Sequence, residues 1–384
     1  MTQQWPLVKL GEVLWLDLDR VSIDPSKNYS MVGVLSFGRG LFHKESVENG
    51  KTSYKYFLRL KASHVVMSQL FGWEGALALS NEEFAGEYLS PQFPTFLCDR
   101  DRLDRFFLGW IMRRPAFWED LGSRASGMGD RRRTLNPDAL FDCEIPLPPL
   151  AEQQRIVARI EALALQIQEA QVLRNEVQRE CEALCRAILI SDNSAQPTPM
   201  GELVSLRSPD VKVRLDETYQ FAGVYSFGRG VFRAQAKSGA EFAYPKLSTL
   251  KAGNFTYPKL MAWEGALGVV PPECDGCVVS TEFPVFEVNT GRVLPEVLDV
   301  HFRNPQIWPE LAGASTGTNV RRRRLNPQDF LRYKMPLPSM QTQLRLRSVM
   351  QELAKLTPLY KETESELDAL LPAILDKAFR GELS

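Results

Sequence analysis

Two glycine-flanked loops carry the residue types that most clearly suggest contact with a nucleic acid. Each reads Ser-Phe-Gly-Arg-Gly, at residues 36–40 and again at residues 226–230. Glycine lets the main chain approach a ligand closely, and an arginine fork matches a phosphate or the O6 and N7 acceptors of guanine. A tight hairpin with a solvated arginine is the alternative, but the five residues are identical in both places while their flanks differ. We expect DNA contacts from these residues: Ser36, Phe37, Arg39, Ser226, Phe227 and Arg229.

Two runs of arginine form a second basic feature. Their members are Arg131, Arg132, Arg133, Arg321, Arg322, Arg323 and Arg324. Each run follows a polar loop that contains glycine, and the second loop ends at Asn319. Exposed arginines this close would repel one another without a polyanion, so we expect Asn319 and both runs to contact DNA, chiefly at phosphates. A solvated turn is the alternative. Counterion release by all the arginines would give log K a slope of about −6 against log salt concentration.

A Trp-Glu-Gly-Ala segment also occurs twice, at residues 73–76 and 263–266. One glutamate in each place makes a poor active site on its own. We expect a buried tryptophan and a glutamate that accepts hydrogen bonds from main-chain N–H groups. A contact between the glutamate and the edge of a cytosine is the alternative.

No catalytic motif accompanies these residues. The sequence has no FxGxG with an NPPY or DPPY partner for methyl transfer from S-adenosylmethionine, no GxxxxGK[ST] for ATP and no convincing D…ExK nuclease pattern. Cys274 and Cys277 form a CxxC without a second pair, so we expect no metal site, and Cys181 and Cys185 should pack as small apolar residues. The chain is predicted to bind rather than to catalyse.

The overall charge is nearly neutral, with 46 basic and 47 acidic residues. A nucleic acid would therefore be met by local patches. The content of 24% charged and 44% hydrophobic residues is typical of a soluble globular protein, and 384 residues suffice for two or three domains. The opening MTQQWPLVKL lacks the apolar core of a secretory signal, and no run approaches the roughly 18 apolar residues of a membrane span, so we expect a cytoplasmic location.

The chain is an internal duplication with a constant offset of 190 residues, and no gap is needed from Gly11 to the long helices described below. GVLSFGRGLF corresponds to GVYSFGRGVF, GWEGAL to AWEGAL, and RRRTLNPDAL to RRRRLNPQDF. Two similar globular units are therefore expected.

Each unit mixes signals for strands and helices. Tyr29 to Leu35, Gly75 to Leu79 and Thr95 to Cys98 are short β-prone runs broken by turn residues. Leu103 to Trp118 and its counterpart Leu294 to Trp308 resemble a helix that ends at a proline. The fold class is predicted to be α+β.

A long helix with a heptad seam is predicted after each unit. In residues 147–190, apolar residues recur alternately four and three positions apart, and only Arg174 interrupts them. The seam residues are Ile156, Ile160, Leu163, Ile167, Ala170, Val177, Cys181, Leu184 and Ile188. The same spacing returns at Leu346, Val349, Leu353, Leu356, Tyr360, Thr363, Leu367, Leu370 and Ile374.

These two segments are expected to pair as an antiparallel coiled coil about an approximate two-fold axis, over about 48 Å at a rise of about 1.5 Å per residue. Pro358 and Pro372 should bend or interrupt the second helix. The expected domains are residues 1–150 and 191–340, with the helices at 151–190 and 341–384.

Two segments carry a family resemblance. LPPLAEQQRIVARIEAL after the first unit and LLPAILDKAFRGELS at the end resemble conserved segments of type I restriction-modification specificity (S) subunits. The order domain, helix, domain, helix is similar as well. The second unit's PLPSMQTQLRLRSVM departs from the pattern, with Thr342 in place of Glu152 and Leu344 in place of Gln154.

The resemblance implies that each unit is a target recognition domain that reads one half of a bipartite DNA sequence, with the helices setting the spacer. It also implies that the coiled coil docks two methyltransferase (M) subunits and, through them, restriction (R) subunits. S-adenosylmethionine and ATP would act on those partners, so the chain is expected to be a non-catalytic subunit without a cofactor of its own. Because the two units are similar, we predict similar, inverted half-sites and a nearly palindromic target.

Two alternatives stay open. One is a DNA-reading subunit of another defence system built on the same pair of domains. The other is a stand-alone nuclease or methyltransferase whose motif differs from those considered above.

Overall fold

The computed structural model describes residues 5–48, 51–125, 133–313 and 324–383. The chain divides into two compact units, Met1–Val172 with Thr363–Ser384, and Leu173–Glu362. Each unit therefore holds one sheet-rich domain together with part of both long helices. The α+β class expected from the sequence is confirmed.

The first unit contains three sheets and a group of helices. Its strands are β1 (Leu7–Lys9), β2 (Leu14–Leu16), β3 (Arg20–Ser22), β4 (Tyr29–Val34), β5 (Leu41–Val47), β6 (Tyr56–Arg59), β7 (Val65–Met67), β8 (Leu77–Leu79), β9 (Tyr88–Leu89), β10 (Thr95–Cys98) and β11 (Glu144–Pro146). Its helices are α1 (Arg105–Ile111), α2 (Pro115–Ser123), α3 (Pro137–Phe141) and the first part of α4 (Leu150–Ile190). The sheets have the strand orders β1-β11, β2-β10-β7-β8 and β3-β6-β9-β4-β5, and β4 and β9 run parallel.

The second unit repeats this arrangement sheet for sheet. Its strands are β12 (Gln196–Pro199), β13 (Val204–Leu206), β14 (Val211–Lys212), β15 (Thr218–Tyr225), β16 (Gly230–Ser238), β17 (Lys246–Thr249), β18 (Phe255–Thr256), β19 (Gly268–Val269), β20 (Val278–Ser280), β21 (Val285–Val288) and β22 (Lys334–Leu337). Its helices are α5 (Pro295–Arg303), α6 (Trp308–Gly313), α7 (Pro327–Arg332) and part of α8 (Met340–Phe379). The sheets β12-β22, β13-β21-β18-β19 and β14-β17-β20-β15-β16 have the same order as their counterparts. The duplication in sequence is a duplication in fold.

The core of each unit joins the four-stranded sheet to both long helices. In the first unit, Phe96 of β10, Phe107 of α1 and Ile160 of α4 belong to one buried cluster. Phe379 of α8 joins it, with its ring centroid 5.2 Å from that of Phe107. Burial of apolar side chains of this size is worth about 1.5–3 kcal/mol each, so the helices are integral to the domain rather than appended to it.

Within each unit the two long helices run antiparallel, as expected. In the first unit, Gln171 of α4 donates a hydrogen bond to Asp368 of α8 at 3.4 Å, while Ile156 shares a buried cluster with Phe379. In the second unit, Ile188 shares a buried cluster with Leu346, and Asp192, just after α4, accepts from the N–H of Ser339, just before α8, at 2.8 Å. Partner numbers rise along one helix as they fall along the other.

The heptad seam is only partly right. Ile156, Ile160 and Ile188 are buried, but Leu184 is half exposed and its neighbour Cys185 is buried. Cys185 belongs to the apolar core of the second unit. Near its C-terminal end, α4 packs on the domain of the second unit as well as on α8. The buried face of α4 is therefore shifted by one residue from the position that the heptad repeat predicts.

The interruption expected at the prolines of the second helix needs correction. Helix α8 is continuous from Met340 to Phe379, so neither Pro358 nor Pro372 interrupts it. Both prolines are exposed. On an exposed face, water can hydrogen-bond the carbonyl that loses its N–H partner, which lets the helix continue.

The single helix expected from Leu103 to Trp118 is two helices. Helix α1 ends at Ile111, and Pro115 is the first residue of α2. Proline has a fixed φ and no N–H, both of which suit the first turn of a helix. Pro115 therefore starts a second helix instead of ending a long one. In the second unit, α5 ends at Arg303 and α6 begins at Trp308, so Pro305 lies between the two helices.

A fully buried glutamine holds the first turn of α4 against its domain. The side-chain NH2 group of Gln153 donates to the main-chain carbonyls of Arg102 and Pro148, each at 2.8 Å. Its Oε1 atom accepts from the N–H of Asp104 at 2.8 Å. All three bonds recur on α8, where Gln343 binds Arg292, Pro338 and Leu294 at 3.0, 3.0 and 2.8 Å. These bonds fix where each long helix leaves its domain.

The substitution Gln153→Met should lower the free energy of unfolding by about 3 kcal/mol. Methionine has a similar volume, but it leaves buried main-chain donors and acceptors without partners. Gln154→Met, at the exposed neighbouring position, is the control and should change stability little. Chemical denaturation of the full chain measures both, and equal effects of the two substitutions would show that the buried bonds contribute nothing.

Candidate nucleic-acid interface

The Ser-Phe-Gly-Arg-Gly loop of the first unit closes the hairpin formed by β4 and β5. The N–H of Leu35 donates to the carbonyl of Gly40 at 2.9 Å across the loop. Phe37, Gly38 and Gly40 have φ values of 64°, 64° and 89°. This left-handed turn suits glycine but is strained for phenylalanine. The second loop has the same conformation, with φ of 63° at Phe227.

The tip of the loop is docked on a 3-10 helix that spans Gly72–Glu74. The N–H of Phe37 donates to the carbonyl of Glu74 at 2.8 Å, and the N–H of Gly38 donates to the carbonyl of Gly75 at 3.0 Å. The Ser36 hydroxyl donates to the Glu74 carboxylate at 3.2 Å. Side-chain and main-chain bonds together hold the tip in one place.

The second unit repeats this docking bond for bond. Phe227 and Gly228 donate to the carbonyls of Glu264 and Gly265 at 2.8 and 3.0 Å. The Ser226 hydroxyl donates to the Glu264 carboxylate at 3.3 Å. The two loops therefore have the same docking contacts as well as the same sequence.

The expected environment of the Trp-Glu pair is wrong in two respects. Trp73 is half-buried rather than buried, and its indole N–H donates to the carbonyl of Leu70 at 2.8 Å. The Glu74 carboxylate accepts from a serine hydroxyl, whereas the loop N–H groups bind main-chain carbonyls. The last carbonyls of a short helix have no partner within the helix, so they accept the N–H groups of the docked loop.

A tryptophan from α2 packs directly under the docking site. A Cβ atom at Gly75 would lie 2.4 Å from the ring of Trp118, so only glycine fits at this position. The Trp118 indole N–H donates to the carbonyl of Met112, and the Phe37 ring lies edge-on to it with centroids 6.2 Å apart. In the second unit, a Cβ atom at Gly265 would lie 2.3 Å from the ring of Trp308. The sequence reasoning missed these tryptophans as site residues, although their identity in both copies was a usable signal.

The loop arginines remain available to an anion. The Nε of Arg39 donates to the carbonyl of Ser36 at 3.0 Å, and its guanidinium lies 5.8 Å from the Phe37 ring centroid. The Nε of Arg229 donates to the carbonyl of Ser226 at 3.2 Å, and its guanidinium lies 4.7 Å from the ring of Tyr225. Among the described residues, neither arginine is paired with a carboxylate.

The two units differ beneath the loop. In the first, Gly38 lies over Arg113, whose guanidinium is 4.4 Å from the ring centroid of Trp110, and burial lowers the pKa of Arg113. In the second, the equivalent Arg303 forms an ion pair with Asp299 at 2.9 Å. Burial raises the pKa of the Asp299 carboxyl. A cation is retained under both loops, and within the described part of the chain an acid pairs with it only in the second unit.

The arginine runs fall mostly outside the described residues. This applies to Arg131, Arg132, Asn319, Arg321, Arg322 and Arg323. Arg133 lies within the described residues. Its guanidinium is 5.4 Å from the ring centroid of Trp73, which belongs to the 3-10 helix on which the loop is docked. Arg324 forms an ion pair with Glu282, a partner that the sequence reasoning did not anticipate.

Within the described ranges, no group of three or more His, Cys, Asp or Glu residues could hold a metal ion. Cys274 and Cys277 are buried and carry free thiols. No helix in these ranges combines the length and apolar character that crossing a membrane requires.

The substitution Gly75→Ala should cost about 3 kcal/mol of stability, because a left-handed φ adds about 1–2 kcal/mol and the overlap with Trp118 adds about 1–3 kcal/mol. Gly86→Ala is a matched control, since Gly86 has a φ of +89° but no atom within 4 Å of its added Cβ. That control should cost only about 1 kcal/mol. Thermal or chemical unfolding measures the difference, and equal costs would argue against the packing described for Trp118.

A scan of protein-family models and a search of curated proteins gave no match to this chain. Solved structures do match along its whole length. One is a chain from a structure described as the basis of complex assembly and conformational transition of the type I R-M system. It is 22% identical to this chain, with 100% of both chains covered and a TM-score of 0.66. An HsdS subunit from Thermoanaerobacter tengcongensis is 23% identical, with 99% of this chain and 97% of that chain covered and a TM-score of 0.49. A type I restriction-modification S subunit from M. genitalium is 15% identical, with 98% and 96% covered and a TM-score of 0.44. The likeness at a TM-score of 0.66 confirms the expected fold: over its full length, this chain folds like a chain of a type I R-M system.

Proposed function

We propose that the chain is the sequence-specific DNA-binding subunit of a type I restriction-modification complex. The observation that carries the proposal is the duplicated loop, in which the same bonds in both units hold an exposed phenylalanine and an arginine that has no carboxylate partner among the described residues. The full-length fold likeness to a chain of such a system supports it. Two equivalent readers in one chain suit a target with two half-sites.

Each unit reads one half-site in this proposal. The loop arginines contact a base edge or a phosphate, and the arginine runs bind the backbone nearby. Because Ser36, Phe37 and Arg39 make the same main-chain and side-chain docking contacts as their counterparts in the second unit, the half-sites should be similar and inverted. The target would then be nearly palindromic.

The long helices set the spacer and dock two methyltransferase (M) subunits, through which restriction (R) subunits can join. Exposed apolar residues on both helices support a docking role, among them Leu165 and Leu173 of α4 and Leu344 of α8. S-adenosylmethionine and ATP act on those partners in this scheme. In this scheme the present chain recognises the DNA sequence and supplies no catalytic group.

Co-expression with the neighbouring methyltransferase, followed by mapping of methylated adenines, tests the proposal. Methylation should appear in a sequence of two similar, inverted half-sites separated by a fixed spacer. Methylation in two unrelated half-sites would reject the near-palindrome, and a complex that neither forms nor methylates would reject the proposal as a whole.

Replacing Arg39 with alanine should weaken recognition in one half-site only. A bidentate arginine contact contributes about 1–3 kcal/mol of discrimination at its base pair, and the equivalent Arg229 would still read the other half. Arg59→Ala is the control, because Arg59 already pairs with Asp19 at 2.9 Å. Competition binding with duplexes altered at single base pairs measures the effect, and uniform weakening across all sequences would assign Arg39 to a phosphate instead.

Deleting four residues, about one turn, from each long helix should shorten the spacer by about 6 Å, or about two base pairs, without altering the half-sites. The reason is that each residue of a helix adds a fixed rise, so a shorter helix brings the two proposed DNA-binding units closer together. Mapping methylated adenines with the shortened protein gives the spacer directly. An unchanged spacer would show that the helices do not set it.

A further inference from the structure

We propose that Phe37 and Phe227 are wedges that insert between adjacent base pairs of the bound duplex and bend it. This inference rests on the proposed function, since it assumes that the two loops face DNA. It adds a distortion of the target to the readout by arginine.

The backbone conformation of the two phenylalanines supports this role. Phe37 and Phe227 have φ values of 64° and 63°, a conformation that favours glycine and is an outlier for a bulky residue. Both loops already use glycine at the other left-handed positions. A phenylalanine retained in both copies at a strained position indicates that its ring has a use outside the fold.

The two phenylalanine rings are exposed, yet the residues that carry them are held firmly in place. The side chains of Phe37 and Phe227 are 60% and 64% exposed, although the ring is large and apolar. Each residue is nevertheless fixed by its own N–H bond at 2.8 Å and by the next N–H bond at 3.0 Å. The rings lie near Trp118 and Trp308, with centroids 6.2 and 6.3 Å apart. A ring that is already ordered loses little conformational entropy on insertion.

Charge identifies the ligand of this ring. The Arg39 guanidinium lies 5.8 Å from the Phe37 ring centroid. Arg229 makes the same main-chain bond within the second loop, to Ser226, and its guanidinium lies over the Tyr225 ring. A second cation, Arg113, lies under Gly38. An exposed apolar ring on the same short loop as an arginine matches a base step flanked by phosphates. Apolar side chains that enter such steps partly unstack the bases and kink the duplex.

Glycine provides a clean test, because it removes the ring and suits the backbone. The variants are Phe37→Gly, Phe227→Gly and the double substitution, each in the full chain with its methyltransferase partner. Trp15→Ser is the control, since Trp15 is an exposed aromatic residue of β2 and serine is the equivalent residue in the second unit. The probe is a short duplex that carries the target mapped by methylation, with a fluorescent donor and acceptor at its ends.

Wild-type complex should bend the target, and each single variant should lose roughly tenfold in affinity together with part of the bend. The double variant should leave the duplex nearly straight. The control should behave like wild type, and the glycine variants should unfold at a temperature no lower than that of the wild type.

Three results would overturn the inference. If the double variant binds and bends DNA like wild type, the rings are not wedges, while the proposed function stands. If affinity falls and the bend is unchanged, the rings contact base edges, such as thymine methyl groups, without insertion. If wild-type complex selects no DNA sequence, the proposed function fails and this inference fails with it.

Discussion

A pair of main-chain hydrogen bonds docks each hairpin tip on a short 3-10 helix, and the position of the exposed loop side chains depends on these bonds. In the first unit these bonds join Phe37 to Glu74 and Gly38 to Gly75, at 2.8 and 3.0 Å. They hold because Gly75 has no side chain where the Trp118 ring lies. With the tip fixed, the ring and guanidinium beside it are presented in a defined geometry, which is what base recognition requires.

Duplication repeats this local arrangement in the second unit. The strand orders, the loop contacts and the buried glutamine that starts each long helix all recur at the same offset. Gln153 and Gln343 are both almost fully buried, and each makes three hydrogen bonds to main-chain groups. Because an unsatisfied buried amide is costly, these bonds fix the departure of each helix from its domain. A fixed departure gives each long helix a defined direction relative to the domain from which it leaves.

Much of this could be predicted from the sequence, because a repeat compares the chain with itself. The α+β class, the duplication, the long helices and their antiparallel course within each unit followed from spacing alone. Other features depend on tertiary contacts that spacing does not encode. The start of α2 at Pro115, the continuity of α8 through Pro358 and the shift of the buried face to Cys185 are of this kind. The Glu74 carboxylate was assigned the wrong partner because the short helix ends with free carbonyls that no sequence pattern marks.

Photocrosslinking from the loop tips measures directly whether both tips touch DNA. Benzoylphenylalanine placed at Phe37 or at Phe227, in the full chain co-expressed with the proposed methyltransferase subunit, can react with any DNA that the tip touches. Position 37 should crosslink within one half-site and position 227 at the equivalent place in the other. Crosslinks from both positions to the same half-site, or none from either in a complex that methylates DNA, would contradict the account.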